Sequence, residues 1–117
     1  MRLKIVYIDD EPDLCQMFND NFGGLSEVEI KTFVDPELAL QAIEANRPDL
    51  IFLDYRLPNT TGREVALRIN EQLPIALITG DLGLSLQPPF VKIFSKPFDF
   101  DELEAFIQSY LDQKKLA

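Results

Sequence analysis

Five polar side chains stand where strand-like apolar runs of this sequence end. Asp9 and Asp10 follow the first run, Asp54 the third, Thr79 ends the fourth, and Lys96 comes just past the fifth. If the runs are parallel strands, their carboxyl ends meet at the edge of the sheet where ligands bind in open α/β folds. The sequence therefore predicts one pocket that contains three carboxylates, a hydroxyl and an ammonium group.

Charge repulsion indicates what such a pocket would hold. Two carboxylates about 4 Å apart repel by roughly 4 kcal/mol at an effective dielectric of 20, so three must either take up a proton or recruit a cation. All-oxygen ligands favour Mg²⁺, Ca²⁺ or Mn²⁺. Mg²⁺ is typically held by one or two carboxylates, with water and phosphate oxygens in its other positions. Asp9, Asp10 and Asp54 therefore predict a magnesium site, at which Mn²⁺ is the alternative ion.

A magnesium ion beside a carboxylate and a lysine suits phosphoryl transfer. Catalysis in such sites consists mostly of positioning and of neutralising charge on the transferring group. A carboxylate can be the nucleophile and become an acyl phosphate. The Lys96 ammonium can balance one phosphoryl oxygen, and the Thr79 hydroxyl can donate to another.

The elements that position these residues alternate between strands and helices. Helical patterns begin near Pro12, Asp35, Thr61 and Asp99. Strand-like runs cover residues 3–8, 28–33, 50–53, 74–78 and 91–94. This alternation predicts βαβ units and an α/β fold, a parallel sheet with helices on both faces. Glycines and prolines interrupt residues 80–90, so at most about one helical turn fits between Leu82 and Gln87.

Size and charge limit the function classes. The chain has 117 residues, 46% of them apolar, which suits one domain over residues 1–117. A net charge of −9 disfavours nucleic acid and anionic membranes as partners. Cys15 is the single cysteine, and no apolar run is long enough to span a membrane, so we expect a cytoplasmic protein.

Taken in order, these residues resemble the response-regulator receiver domain, the CheY-like domain of two-component signalling. The resemblance covers the whole chain. The matching pieces are Asp9-Asp10, Asp54, Pro58 and Gly62, Thr79, and Lys96-Pro97-Phe98. It implies a flavodoxin-like doubly wound sheet of five strands in the order 2-1-3-4-5, with a fourth helix that is short or irregular here.

The resemblance also implies a role for each site residue. Asp54 would be the phosphoacceptor. Asp10, Asp54 and the backbone carbonyl of Arg56 would bind Mg²⁺ directly, and Asp9 would act largely through a bound water. Thr79 and Lys96 would hold the phosphoryl group, and the Lys96–Pro97 peptide bond would be cis.

The partners implied are a phosphoryl donor and an output protein. The donor would be a histidine kinase or a histidine phosphotransfer protein, since this chain has no histidine of its own. Output would pass to an unknown downstream protein or along a phosphorelay. The resemblance implies that the domain assists its own phosphorylation and dephosphorylation and turns over no free substrate.

Two departures from the family pattern keep other functions open. Ile93 stands where the family has a switch aromatic. The neighbouring Phe94 is expected on the opposite side of the strand, so it does not take that place. The reduced fourth helix removes part of the usual output surface. A degenerate receiver that acts as a phosphorylation-independent interaction module is therefore one alternative. An aspartate-nucleophile magnesium phosphatase is the other, although Arg56 occupies the position of its general acid.

Overall fold

The chain alternates strands with helices along its length. The structure, a computed structural model, describes residues 2–69, 72–81 and 83–116. Its helices are α1 (Pro12–Phe22), α2 (Pro36–Ala45), α3 (Gly62–Leu67) and α4 (Phe100–Leu116). Its strands are β1 (Leu3–Ile8), β2 (Val28–Phe33), β3 (Leu50–Asp54), β4 (Arg56–Leu57), β5 (Thr60–Thr61), β6 (Ile75–Thr79) and β7 (Phe90–Ser95).

The long strands form one parallel sheet in the order β2-β1-β3-β6-β7. Because β6 and β7 are the fourth and fifth predicted strands, the predicted flavodoxin-like order 2-1-3-4-5 is confirmed. Strands β4 and β5 form a separate antiparallel ribbon that was not predicted. This ribbon directly follows the end of β3, so it lies beside the carboxyl edge of the sheet.

Both faces of the sheet are buried under helices. Helices α1 and α4 pack on one face, and α2 and α3 pack on the other. Strand β3 contributes to both apolar clusters, because Leu50 and Phe52 belong to the first and Ile51 and Leu53 to the second. The alternation of side chains along a strand explains why β3 is apolar at every position before Asp54. None of the helices in the described residues is long and apolar enough to cross a membrane.

Side-chain oxygens cap three of the helices where the sequence predicted that they begin. Asp35, Thr61 and Asp99 each accept a backbone N–H from the first turn of α2, α3 and α4. Such caps satisfy N–H groups that have no partner within the helix. They also fix the positions of the loops that follow β2 and precede α3 and α4.

The connection between β6 and β7 contains no helix in its described part, residues 80–81 and 83–89. Leu84 packs against the cluster under α2 and α3, while Leu86 is exposed. The prediction of a short or irregular fourth helix is confirmed for these residues. Leu82, where the predicted helical turn would begin, lies outside the described residues.

Two neighbouring residues of β7 face opposite sides of the sheet, as predicted. Phe94 is buried, with its ring centroid 6.0 Å from that of Phe52 and 5.1 Å from that of Phe106. Ile93 is half-buried and packs on the face covered by α2 and α3. An aliphatic side chain thus occupies the position at which the family resemblance implies an aromatic ring.

Candidate functional site

The five predicted site residues meet at the carboxyl edge of the sheet. Asp9 and Asp10 follow β1, Asp54 and Thr79 are the last residues of β3 and β6, and Lys96 follows β7. A pocket of about 690 Å³ opens at this edge. It is lined by Asp10, Glu11, Asp54, Arg56, Thr79, Gly80, Asp81, Gly83 and Lys96. Asp9 is not among the lining residues, because its side chain is completely buried beneath them.

Three carboxylates lie close together in this site, and two of them contact one ammonium group. Lys96 Nζ lies 3.2 Å from Asp9 Oδ2 and 3.2 Å from Asp54 Oδ1. Carboxylate oxygens of Asp9, Asp10 and Asp54 all come within 4.8 Å of one another. Asp54 is only 5% exposed, whereas Asp10 is open to solvent. The negative charge therefore exceeds the positive charge in a site that is partly shielded from water.

Burial and the excess of negative charge both act on the pKa values of Asp54 and Lys96. Burial raises the pKa of Asp54 to about 6, the charge of Asp9 adds to the rise, and Lys96 opposes it. Burial works to lower the pKa of Lys96, but Asp9 and Asp54 outweigh it and raise that pKa overall. One ammonium is thus not enough to balance the site, and the oxygen-only donor set fits a small divalent cation.

Tyr7 is a site residue that the sequence reasoning missed. Its hydroxyl donates to Asp9 Oδ2 at 2.9 Å, and the backbone N–H of Glu11 donates to Asp9 Oδ1 at 3.0 Å. Burial, together with the neighbouring charge of Asp9, raises the pKa of the Tyr7 phenol well above its usual range. Side chains two residues apart on a strand share a face, so the Tyr7-Ile8-Asp9 spacing was the available signal.

Thr79 and Arg56 are linked through Asp81. The buried Thr79 hydroxyl accepts the backbone N–H of Asp81 at 3.0 Å. Asp81 Oδ2 lies 3.7 Å from Arg56 Nη2, and Asp81 Oδ1 accepts the Gly83 N–H at 2.9 Å. This ion pair, exposed at Arg56 and half-buried at Asp81, spans the mouth of the pocket between the loop after β3 and the loop after β6.

Gly62 allows helix α3 to begin against the end of β3. Its N–H donates to the Tyr55 carbonyl at 2.7 Å. A Cβ atom at this position would lie 2.6 Å from the backbone oxygen of Asp54, closer than real Cβ contacts allow. Position 62 must therefore lack a side chain for α3 to pack against the backbone of Asp54. On the other side of the pocket, the Lys96–Pro97 peptide bond is cis, as the resemblance implied.

The doubly wound sheet and the acidic pocket at its carboxyl edge define the chain as an α/β protein of the flavodoxin-like class. The chain belongs to the response regulator receiver domain family, whose family model matches residues 5–108. Receiver domains bind Mg²⁺ through an acidic pocket, accept phosphoryl groups, and interact with histidine kinases or phosphotransfer proteins.

Curated relatives differ in how much of their length this chain covers. Sporulation initiation phosphotransferase F of Bacillus subtilis (strain 168) is 30% identical over 124 residues, which cover 97% of this chain and 98% of that protein. The alkaline phosphatase synthesis transcriptional regulatory protein PhoP of the same strain is 31% identical over 125 residues, which cover 100% of this chain. The chain spans about half the length of PhoP, 52%. It spans 51% of the DNA-binding response regulator MtrA of Mycolicibacterium smegmatis, which is 32% identical over 95% of this chain.

Solved structures share the fold. The response regulator protein TrrA from Thermotoga maritima, in complex with Mg²⁺-BeF, superimposes with a TM-score of 0.82 at 27% identity. The superposition covers 94% of this chain and 99% of TrrA. The signal receiver domain of an HD domain-containing protein from Pseudomonas fluorescens Pf-5 has a TM-score of 0.87 at 22% identity and covers 100% of both chains.

Proposed function

We propose that residues 1–117 act as one receiver domain that accepts a phosphoryl group on Asp54 in a reaction that depends on Mg²⁺. The observation that carries the proposal is the bridge of Lys96 between Asp9 and Asp54, with the Asp10 carboxylate beside it. This arrangement leaves the nucleophile close to a fixed ammonium and to surplus negative charge. It suits a cation-dependent transfer of a phosphoryl group.

Each site residue has its own task in the proposed reaction. Asp10, Asp54 and the backbone carbonyl of Arg56 would hold Mg²⁺, or Mn²⁺ in its place, and Asp9 would act through a bound water. The ion neutralises charge on the phosphoryl oxygens when it is bound. Lys96 balances a phosphoryl oxygen, and Thr79 donates to another once its hydroxyl turns into the pocket.

The proposed donor is the phosphohistidine of a histidine kinase or a histidine phosphotransfer protein. An oxygen of the Asp54 carboxylate forms a bond to phosphorus as the P–N bond to the imidazole breaks, and the imidazole leaves with the electron pair. The product is an acyl phosphate on Asp54. No free substrate turns over in this scheme, because the phosphoryl group stays on the protein until water or a further acceptor takes it.

The proposed setting is the cytoplasm, with output through an unknown downstream protein. Sporulation initiation phosphotransferase F, which this chain matches over nearly its full length, is named as a phosphotransferase, so onward transfer of the phosphoryl group is one form of output. MtrA is named as a DNA-binding regulator, but this chain covers 51% of it. We propose neither nucleic acid nor membrane as a partner of these residues, because their net charge is −9.

Incubation with acetyl phosphate and Mg²⁺, followed by intact-mass measurement, tests the proposal. We expect a phosphate-sized mass gain in the parent, none in Asp54→Asn, and none in the parent when EDTA replaces Mg²⁺. No gain in the parent would refute the proposal in favour of a phosphorylation-independent interaction module. Sustained hydrolysis of a free phosphoester would refute it in favour of an aspartate-nucleophile phosphatase.

Arg56 is predicted to lengthen the lifetime of the phosphoryl group by pairing with Asp81 across the pocket mouth. Ion pairs near the surface contribute up to about 1 kcal/mol, so Arg56→Ala should speed dephosphorylation measurably, by up to about fivefold. The decay of the phosphorylated mass after removal of acetyl phosphate measures this rate. Arg63→Ala is the matched control, since Arg63 contacts the Pro88 carbonyl and does not line the pocket. An unchanged decay rate in Arg56→Ala would refute the prediction.

A further inference from the structure

Tyr7 places a phenol hydroxyl inside the acidic site although it belongs to a buried strand. Its side chain is fully buried, and its ring stacks on Phe18 with centroids 4.5 Å apart. The hydroxyl reaches Asp9 Oδ2 at 2.9 Å, the same oxygen that Lys96 Nζ approaches to 3.2 Å. The proposed phosphoryl transfer assigns no task to this hydroxyl. Packing does not require it either, because a phenylalanine would fill nearly the same volume.

The three aspartates differ in how much of their hydrogen-bonding capacity is already used. An ionised carboxylate accepts about four hydrogen bonds. Among the described residues, Asp9 has three donors, namely the Glu11 N–H, the Tyr7 hydroxyl and the Lys96 ammonium. Within the described part of the chain, the Asp54 carboxylate is contacted by Lys96, and the Asp10 carboxylate has no hydrogen bond or ion pair. Free carboxylate oxygens are therefore offered mainly by Asp10 and Asp54.

We propose that Tyr7 is a positioning residue that holds Asp9 away from the cation and thereby makes the site select Mg²⁺ over Ca²⁺. The inference rests on the proposed function, since it assumes that the acidic pocket takes a divalent ion. Mg²⁺ needs only one or two protein carboxylates, whereas Ca²⁺ takes roughly six to eight oxygen ligands at longer distances. Keeping Asp9 occupied limits the number of oxygens that the protein offers, which penalises Ca²⁺ more than Mg²⁺.

Isothermal titration of the parent and of Tyr7→Phe with Mg²⁺ and with Ca²⁺ tests this role. The substitution keeps the ring on Phe18 but removes the donor, so the Asp9 carboxylate is released to turn toward Asp10 and Asp54. We expect the Ca²⁺ affinity relative to the Mg²⁺ affinity to rise on the order of tenfold, the worth of one hydrogen bond to a charged group. Tyr110→Phe is the matched control, because it removes a phenol hydroxyl from a ring packed on Phe106. An unchanged ratio in Tyr7→Phe would overturn the inference.

A double-mutant cycle separates this role from a merely structural one. If the hydroxyl acts through Asp9, Tyr7→Phe has no effect on the Ca²⁺ to Mg²⁺ ratio in the Asp9→Asn background. An equal shift in both backgrounds would contradict the inference. The titrations contain no phosphoryl donor, so a chain with the expected shift that gains no phosphate would refute the proposed function alone. A chain that gains phosphate on Asp54 but shows an unchanged ratio would refute the Tyr7 inference alone.

Discussion

Lys96→Met is expected to lower the free energy of unfolding of the metal-free protein by about 3–5 kcal/mol at pH 8, the usual cost of removing one partner of a buried ion pair. The Lys96 ammonium lies 3.2 Å from oxygens of both Asp9 and Asp54, and its side chain is 18% exposed. Methionine replaces most of the volume but none of the charge, so two buried carboxylates are left facing each other. Urea denaturation in EDTA measures the loss.

The loss from Lys96→Met should depend on pH and on Mg²⁺. The loss should be smaller at pH 5, because protonation of Asp54 then relieves the repulsion. At pH 8, Mg²⁺ should recover part of the lost stability. Lys92→Met is the matched control, since Lys92 lies on β7, the strand that Lys96 follows. Lys92 is exposed and lies 5.8 Å from the centre of the Phe94 ring, so its removal should cost less than about 1 kcal/mol. Equal losses for both variants would contradict the role of Lys96 as the charge balance of the site.

Asp54→Asn is expected to raise the free energy of unfolding of the metal-free protein by about 3 kcal/mol at pH 8 and to change it little below pH 4. Burial raises the pKa of Asp54 from 3.8 to about 6 in the folded protein. The native state therefore binds this proton more tightly than the unfolded chain does. The parent's contribution from Asp54 is fully present below pH 3.8 and is lost as the pH rises through 6. Asparagine carries no charge to bury and escapes this loss.

Urea denaturation of both proteins in EDTA across this pH range measures the effect of Asp54→Asn. Addition of Mg²⁺ at pH 8 should stabilise the parent much more than the variant, because the variant lacks one of the proposed ligands. Asp20→Asn serves as the control, since Asp20 is exposed on α1 and accepts a hydrogen bond from Gln16 that asparagine can also accept. A gain from Asp54→Asn that is the same below pH 4 and at pH 8 would contradict the raised pKa of Asp54.

The sheet and the edge that carries the site could be predicted from the sequence because the strongest patterns lie there. An apolar run that ends in Asp54 indicates a strand buried on both faces whose end must be exposed to a ligand or a loop. The other apolar runs also end in polar residues. This pattern predicted that Asp9, Thr79 and Lys96 meet near Asp54, although no distance was known. The order of the strands came instead from the family resemblance, since crossover rules alone leave several orders open.

Other parts of the site depend on contacts that carry little sequence signal. The β4–β5 ribbon consists of strands of two residues each, too short for any periodicity, and its turn places Asn59 at a φ of 62°. Tyr7 belongs to an apolar run whose pattern indicates only a buried strand. Its hydrogen bond to Asp9 is therefore visible only in the structure. The requirement for glycine at position 62 likewise arises from the close approach of the Asp54 carbonyl.

Strand β3 is packed on both faces, and this packing fixes the position of the proposed phosphoacceptor. Phe52 anchors the strand in one apolar cluster and Leu53 anchors it in the other, so Asp54 cannot shift without disturbing both. A phosphoryl donor that binds would therefore find the Asp54 carboxylate already in place. Contacts with the donor would then fall to the more exposed side chains at the pocket mouth, where Arg56 and Asp81 form their ion pair.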